Sequence, residues 1–377
     1  MKWSATTLIL CGLSALCACG RSPPSAPAGS PAPAAESGRV VNVYNWSDNI
    51  APDTAANFEK QTGIKVNYDI FQSQEELEAK LLTGRSGYDV VDVTANVLER
   101  LIKAGVFQKL DNARLPNRRH LDPRLMALLA SQDPGNQYAV GYMWGTTGIG
   151  YDGAKLRRLA PDAPTDSWSL LYDPRFASRL APCGIFIEDA PSEAAATTLM
   201  YLGHDPNSTV PGELAGVERA LMALRPHVRK IAGDGQIDDL ANGEVCLMLT
   251  VTTNVFIARQ RAQEAGGHPD FHYVIPREGT ISWFDTLAIP ADAPHPAEAH
   301  AFINFVMQPE VAASITNYVG NPSVNKDALP MIKDSIRNDP SIYPPPEVVA
   351  RLKPLRARSQ QQARIETRIW TRFKTGQ

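Results

Sequence analysis

From Arg39 onward the chain alternates two patterns three times over. "VVNVYNW" has the β-branched and aromatic character of a strand, and "APDTAANFEKQTG" follows as a helix with Pro52 at its start and Gly63 at its end. "IKVNYDIF" is a second strand, and "SQEELEAKLLTG" is a helix with Ser73 as its cap and Gly84 as its stop. "YDVVDVT" and "NVLERLIKAG" repeat the pair. Strands separated by helices need crossover connections, so the alternation predicts an α/β fold with a parallel sheet covered by helices on both faces. In open sheets of that kind ligands bind beyond the carboxyl ends of the strands. "NWSDN", residues 45–49, and "VTAN", residues 93–96, lie at such ends.

A second α/β block follows the run "YAVGYMWGTTGIGYD". It contains "CGIFIED", helices at "SEAAATTLMYLG" and "VERALMALRPHV", the strand "EVCLMLT", and later the strands "FHYVIP" and "WFDTLAIP". At 377 residues the chain is too long for one ordinary core. No long linker separates the blocks, so two α/β lobes joined by strand-like segments are expected, with a ligand cleft between them. The amphipathic tail from Leu355 reads as a terminal helix that packs Ile365, Ile369, Trp370 and Phe373 onto a lobe; a membrane or partner helix is the alternative.

Composition excludes several classes. With 44% hydrophobic and 20% charged residues, disorder and fibrous structure are ruled out over most of the length. A formal net charge of -3 gives no broad footprint for nucleic acid. The amino terminus reads as export machinery: Lys2 precedes the apolar stretch "TTLILCGLSALCA", which is too short to span a membrane stably. Its end, "LCAC", resembles the lipobox of bacterial lipoproteins, which makes residues 1–18 a lipoprotein signal peptide and Cys19 the lipid anchor. Ordinary signal-peptidase cleavage nearby is the alternative. Residues 19–38 form a Pro/Ala-rich tether whose small side chains cannot offset the entropy of ordering. In polyproline form it reaches up to roughly 50 Å from a membrane. Cys183 and Cys246 remain in the body; an even pair in an exported protein is expected as one disulfide, the alternative being two buried thiols.

The chain contains no GxxxxGK[ST], HExxH or GxSxG motif, and its seven histidines lack ligand spacing. "DGQIDD" lacks the glycine and distal Glu of a calcium loop. No catalytic constellation, metal or cofactor is expected.

The segments "YNWSDNIAPDTAANFEKQTGIKVNYDIF", "FQKLDNARLP", "YMWGTTGIGYD", "DSWSLLYDP", "DAPSEA", "YLGHDPNST", "LANGEVC", "FDTLAIPADA" and "YPPPEVVARL" together resemble the putrescine- and spermidine-binding periplasmic proteins of ABC importers. The resemblance runs from about Val40 to the C-terminus. It implies a two-lobed periplasmic-binding-protein fold of type II-like topology, with a hinge and an interlobe cleft. The expected lobes are 39–143 and 259–310 for the first, 144–258 and the C-terminal helices 311–377 for the second. It implies a monomer that captures a putrescine-like polyamine and hands it to ABC permease subunits, touching the membrane through its lipid anchor only. Two alternatives stay open: a monoamine, amino-acid-like or guanidino ligand, or a polyamine sensor docking a membrane signalling protein.

A polyamine is a methylene chain ending in ammonium groups, so its site needs flat apolar walls and carboxylates. Aromatic rings supply the walls and attract the cations, at ~0.5–2 kcal/mol per contact; carboxylates supply charge-assisted hydrogen bonds. The resemblance makes Trp46 a wall and Ser47 and Asp48 polar clamps; read alone, Trp46 plugs a lobe and Asp48 caps the next helix. The cleft hydroxyl falls on Thr94, one carboxylate on Glu193, and an aromatic and an acid on Trp283 and Asp285. Read alone, Glu193 is a helix N-terminal acid and Trp283 a core strand residue. Elsewhere the chain departs from the pattern: Asn49, Val251 and Asn321 stand at aromatic positions, Asn254 at an acid and Gly233 at a serine. Asp234 and Glu188 are the candidates to replace the lost charge.

Overall fold

The computed structural model describes residues 38–46 and 49–377. The expected signal peptide, the expected tether with Cys19, and the expected clamps Ser47 and Asp48 therefore lie outside the described residues, Gly38 excepted.

Ten strands follow in chain order: β1 Val40–Trp46, β2 Lys65–Phe71, β3 Val90–Thr94, β4 Ala139–Asp152, β5 Ile185–Glu188, β6 Lys230–Ala232, β7 Leu247–Val251, β8 Phe271–Val274, β9 Ile281–Ala288 and β10 Lys353–Pro354. β1 pairs in parallel with β2 and β3, joined by the helices Thr54–Thr62 and Gln74–Leu82. The punctuation acts where the sequence places it. Gly63 ends the first helix at φ 69°, a left-handed conformation that costs glycine little, and Ser73 Oγ accepts from the Glu76 amide to cap the second. β9 then runs antiparallel between β3 and β4, giving the order β2-β1-β3-β9-β4-β7-β5-β6.

β4 joins the two halves. Its residues 139–146 pair with β9, and 147–151 pair with β7. Two sets of apolar side chains form separate cores, one holding Val43, Trp144, Phe284, Phe302 and Leu352, the other Ile149, Trp168, Leu249, Ile281 and Leu355. The chain therefore crosses between lobes three times, within 144–149, 281–284 and 352–355.

Two of the expected lobe assignments need correction. Residues 259–310 do not return to the first lobe as a block, because β8 pairs with the second-lobe end of β4 and Phe271 and Tyr273 pack beside Phe186 and Met248. Of residues 311–377, Ile315 and Val324 pack in the first-lobe core, and only the terminal helix Gln360–Thr375 buries Ile369, Trp370 and Phe373 in the second. Strand alternation reveals a strand but not which sheet accepts it, and β9, antiparallel in the middle of the first sheet, breaks the simple order.

Cys183 and Cys246 are joined as a disulfide, with Cα atoms 5.6 Å apart and a sequence separation of 63. They tie the starts of the neighbouring strands β5 and β7. Closing a loop of this length contributes about 2–4 kcal/mol.

Candidate ligand-binding cleft

A cleft of about 760 Å³ lies between the lobes, where β1, β3, β5 and β7 end. Trp46, the last residue of β1, stands on Phe71 of β2 with ring centroids 4.5 Å apart. Trp283 in β9 sits opposite Gly145 of β4, and a Cβ on Gly145 would fall 2.1 Å from the indole, so only glycine lets the ring lie there. The two indoles give the cleft its flat apolar surfaces.

On the first lobe, the amide of Asn49 bridges two acids, donating to Asp92 Oδ2 at 3.0 Å and to Asp285 Oδ2 at 3.1 Å. Tyr142 fixes this loop by donating its hydroxyl to the Asn49 carbonyl at 2.5 Å. Asp285 lies across from Thr94 in the β3/β9 ladder. Burial pushes the Asp285 carboxyl up to about 6, against the Asn49 hydrogen bond, and burial together with the charge of Asp285 pushes Asp92 well above the ordinary range.

On the second lobe, Glu188 ends β5 and Glu193 occupies the first turn of the helix Pro191–Tyr201. Thr147 donates its hydroxyl to Glu193 Oε2 at 2.7 Å. Burial, then the neighbouring Glu193 charge, pushes Glu188 up to about 8; burial also raises Glu193, against the Thr147 bond. No salt bridge among the described residues reaches Asp92, Asp285, Glu188 or Glu193. The guanidinium groups in the lining are both committed, Arg100 to Glu78 and Arg358 to Glu366. Six carboxylate and two guanidinium side chains line the cleft, so its lining is net negative.

Of the residues expected here, Trp46, Asn49, Thr94, Glu193, Val251, Asn254, Trp283 and Asp285 line the cleft together. Gly233 and Asn321 do not. Gly233 sits exposed past the end of β6, with open space where a side chain would be, and Asn321 receives the Thr253 hydroxyl beyond the cleft rim. Of the two candidate replacements for charge, Glu188 lines the cleft and Asp234 is exposed outside it. Asp92, Gln132, Ser282 and Gln236 were not legible as site residues. Asp92 did leave a signal: it shares the period-2 face of β3 with Thr94, an acid in an otherwise apolar strand. Gln132, Ser282 and Gln236 are each buried in the lining with a side-chain oxygen that has no partner in the protein.

The model for bacterial extracellular solute-binding proteins matches residues 53–344. The chain belongs to that family. This solute-binding protein is 45% identical to the putrescine-binding periplasmic protein PotF of Escherichia coli over 90% of its own chain and 92% of the relative. It is 43% identical to a putrescine/agmatine-binding protein of Pseudomonas aeruginosa over 89% and 92%. Among solved structures it resembles a spermidine/putrescine substrate-binding protein of Streptococcus pneumoniae, with a TM-score of 0.79 and 25% identity, covering 90% of this chain and 99% of that one. A putative spermidine/putrescine ABC transporter protein of Listeria monocytogenes gives 0.77 at 30% identity, covering 90% and 100%. The two-lobed binding-protein fold follows from these matches, and the family is one of extracytoplasmic solute binding, not catalysis. Among the described residues no helix is long and apolar enough to cross a membrane.

Proposed function

We propose that this protein captures putrescine or a closely related polyamine outside the cytoplasm and delivers it to the permease of an ABC importer. The carrying observation is the charge pattern of the cleft: Asp285 on the first lobe, backed by the buried Asp92 behind Asn49, and Glu188 and Glu193 on the second, none with a cation partner among the described residues, beside the indoles of Trp46 and Trp283. A ligand that brings positive charge to both lobes and a methylene chain between them complements this arrangement. Trp46, Asn49, Thr94, Val251 and Trp283 form the walls, Glu193 and Asp285 receive ammonium groups, and Ser47 and Asp48 serve as polar clamps. Closing the lobes removes water and strengthens each charge contact. The protein acts as a monomer, exported by residues 1–18 and held to a membrane by a lipid on Cys19.

Calorimetry with putrescine, spermidine, agmatine and 4-aminobutyrate tests the reading. The polycations are expected to bind at least tenfold more tightly than 4-aminobutyrate, whose carboxylate would face acids. Preferential binding of the amino acid would overturn it.

A further inference from the structure

We propose that Glu188 is a ligand-contacting residue, which with Glu193 forms a carboxylate pair holding one cationic end of a ligand whose other end lies at Asp285. This rests on the polyamine reading above and adds the residue that recognises charge on the second lobe. Asn254, at the position where the resemblance places an acid, carries no charge and turns its amide to Thr250 Oγ1 at 3.0 Å. Glu188 lies at the tip of β5 in the same lining, and its Oε2 is shielded from solvent with no hydrogen-bond partner. Gln236, only 8% exposed, brings a second unpartnered oxygen, Oε1, to the same wall. Two solvent-shielded acceptors without donors in one wall are costly unless something donates to them. An ammonium or guanidinium group has the donors and the charge that both need.

The other charged groups around this wall are engaged elsewhere. Asp189 accepts from Trp370 Nε1 at 2.6 Å and Lys374 Nζ at 2.5 Å on the terminal helix. Arg358 is paired with Glu366, which also accepts from Ser192 at 2.9 Å. Lys230, opposite Phe186 on β6, pairs with Asp239 at 2.7 Å, and Asp234 is exposed. Tyr273, behind Glu193, donates to the Thr146 carbonyl at 2.7 Å. Among the described residues, Glu193 is therefore the titratable partner that faces Glu188.

A chemical signature follows. Burial and the neighbouring Glu193 charge push Glu188 up to about 8, so the ligand-free carboxylate pair is expected to share a proton at pH 7. Seating an ammonium favours the ionised carboxylate, so the Glu188 proton leaves to the buffer as the charge-assisted bond forms, with no other bond made or broken. Calorimetry of the purified protein with putrescine at pH 7, in phosphate and in Tris, reads this proton directly, without a variant. Release of about one proton is expected, with affinity rising up to about tenfold per pH unit between pH 6 and 8. Glu188→Gln, checked for folding by thermal melting, is expected to weaken binding about 100-fold at pH 8.5 and to flatten that slope. Wild-type binding without proton release, or a Glu188→Gln variant with unchanged affinity and slope, overturns this inference alone. A wild-type protein that binds none of the polyamines at any pH overturns the reading beneath it.

Discussion

Glu99 and Glu188 are both shielded carboxylates near an interlobe crossing, and they titrate in opposite directions. Glu99, on the helix Ala95–Lys103, receives two nitrogens of Arg356 at 2.7 and 3.1 Å, the Ala357 amide at 3.0 Å and Lys103 at 3.0 Å. Those donors and their charge outweigh burial and hold it at about 2. Glu188, with a like charge for a neighbour, is pushed up to about 8. Burial penalises both; the difference is a cation. Where a carboxylate serves the architecture the chain supplies its counter-charge, and in the cleft it withholds one, which leaves the charge for a partner from solution.

Three experiments probe that contrast. The largest effect is expected at the paired acids. Arg358→Leu strands Glu366, whose side chain is 2% exposed, and is expected to cost about 3–5 kcal/mol of stability by denaturant unfolding. A loss under 1 kcal/mol would mean that the pairing is not what holds that acid. Next comes binding. Asp285→Asn and Glu193→Gln keep the shape and remove the charge, and each is expected to weaken putrescine binding by about 2–4 kcal/mol in calorimetry while leaving the melting temperature near or above that of the parent. Unchanged affinity in both would dissolve the contrast.

The smallest effect concerns pH. The raised acids of the cleft hold protons in the folded protein that the unfolded chain releases at ordinary carboxylate values, so ligand-free stability falls as pH rises from about 4.5 toward 8. Glu99 works the other way: its contribution is fully present above the unfolded value and is lost as pH falls through about 2. Melting temperatures of the ligand-free protein are expected to decline modestly from pH 5 to pH 8, and Glu188→Gln is expected to reduce the decline. A flat or rising profile would show that the cleft acids are ionised without cost.

The parallel half-sheet at the amino-terminal end was legible because each element carries its own period and its own stop, such as Ser73 and Gly63. β9 defeated the reading of the lobes: its eight residues look like any buried strand, and its antiparallel place between β3 and β4 depends on partners far away in sequence, such as Val91 with Ala288 and Ala139 with Ala288. The cleft was partly visible for a similar reason. Trp46 and Asp285 sit in runs that resemble relatives, whereas Gln132, in the turn after the helix Pro123–Leu129, and Gln236, at the start of the helix Gln236–Ala241, become site residues only because the fold brings their oxygens to one lining. Asn321 shows the converse, a residue at the matching position whose side chain the Thr253 hydroxyl engages elsewhere.

Because one fourteen-residue strand serves as a rib of both sheets, neither half of this receptor is an exchangeable module. New ligand preferences have to be written in single side chains at the strand tips, with the shared backbone ladder left intact. A chain with Asn254 at the helix start after β7 and Glu188 at the tip of β5 can therefore change what it carries without changing how it bends.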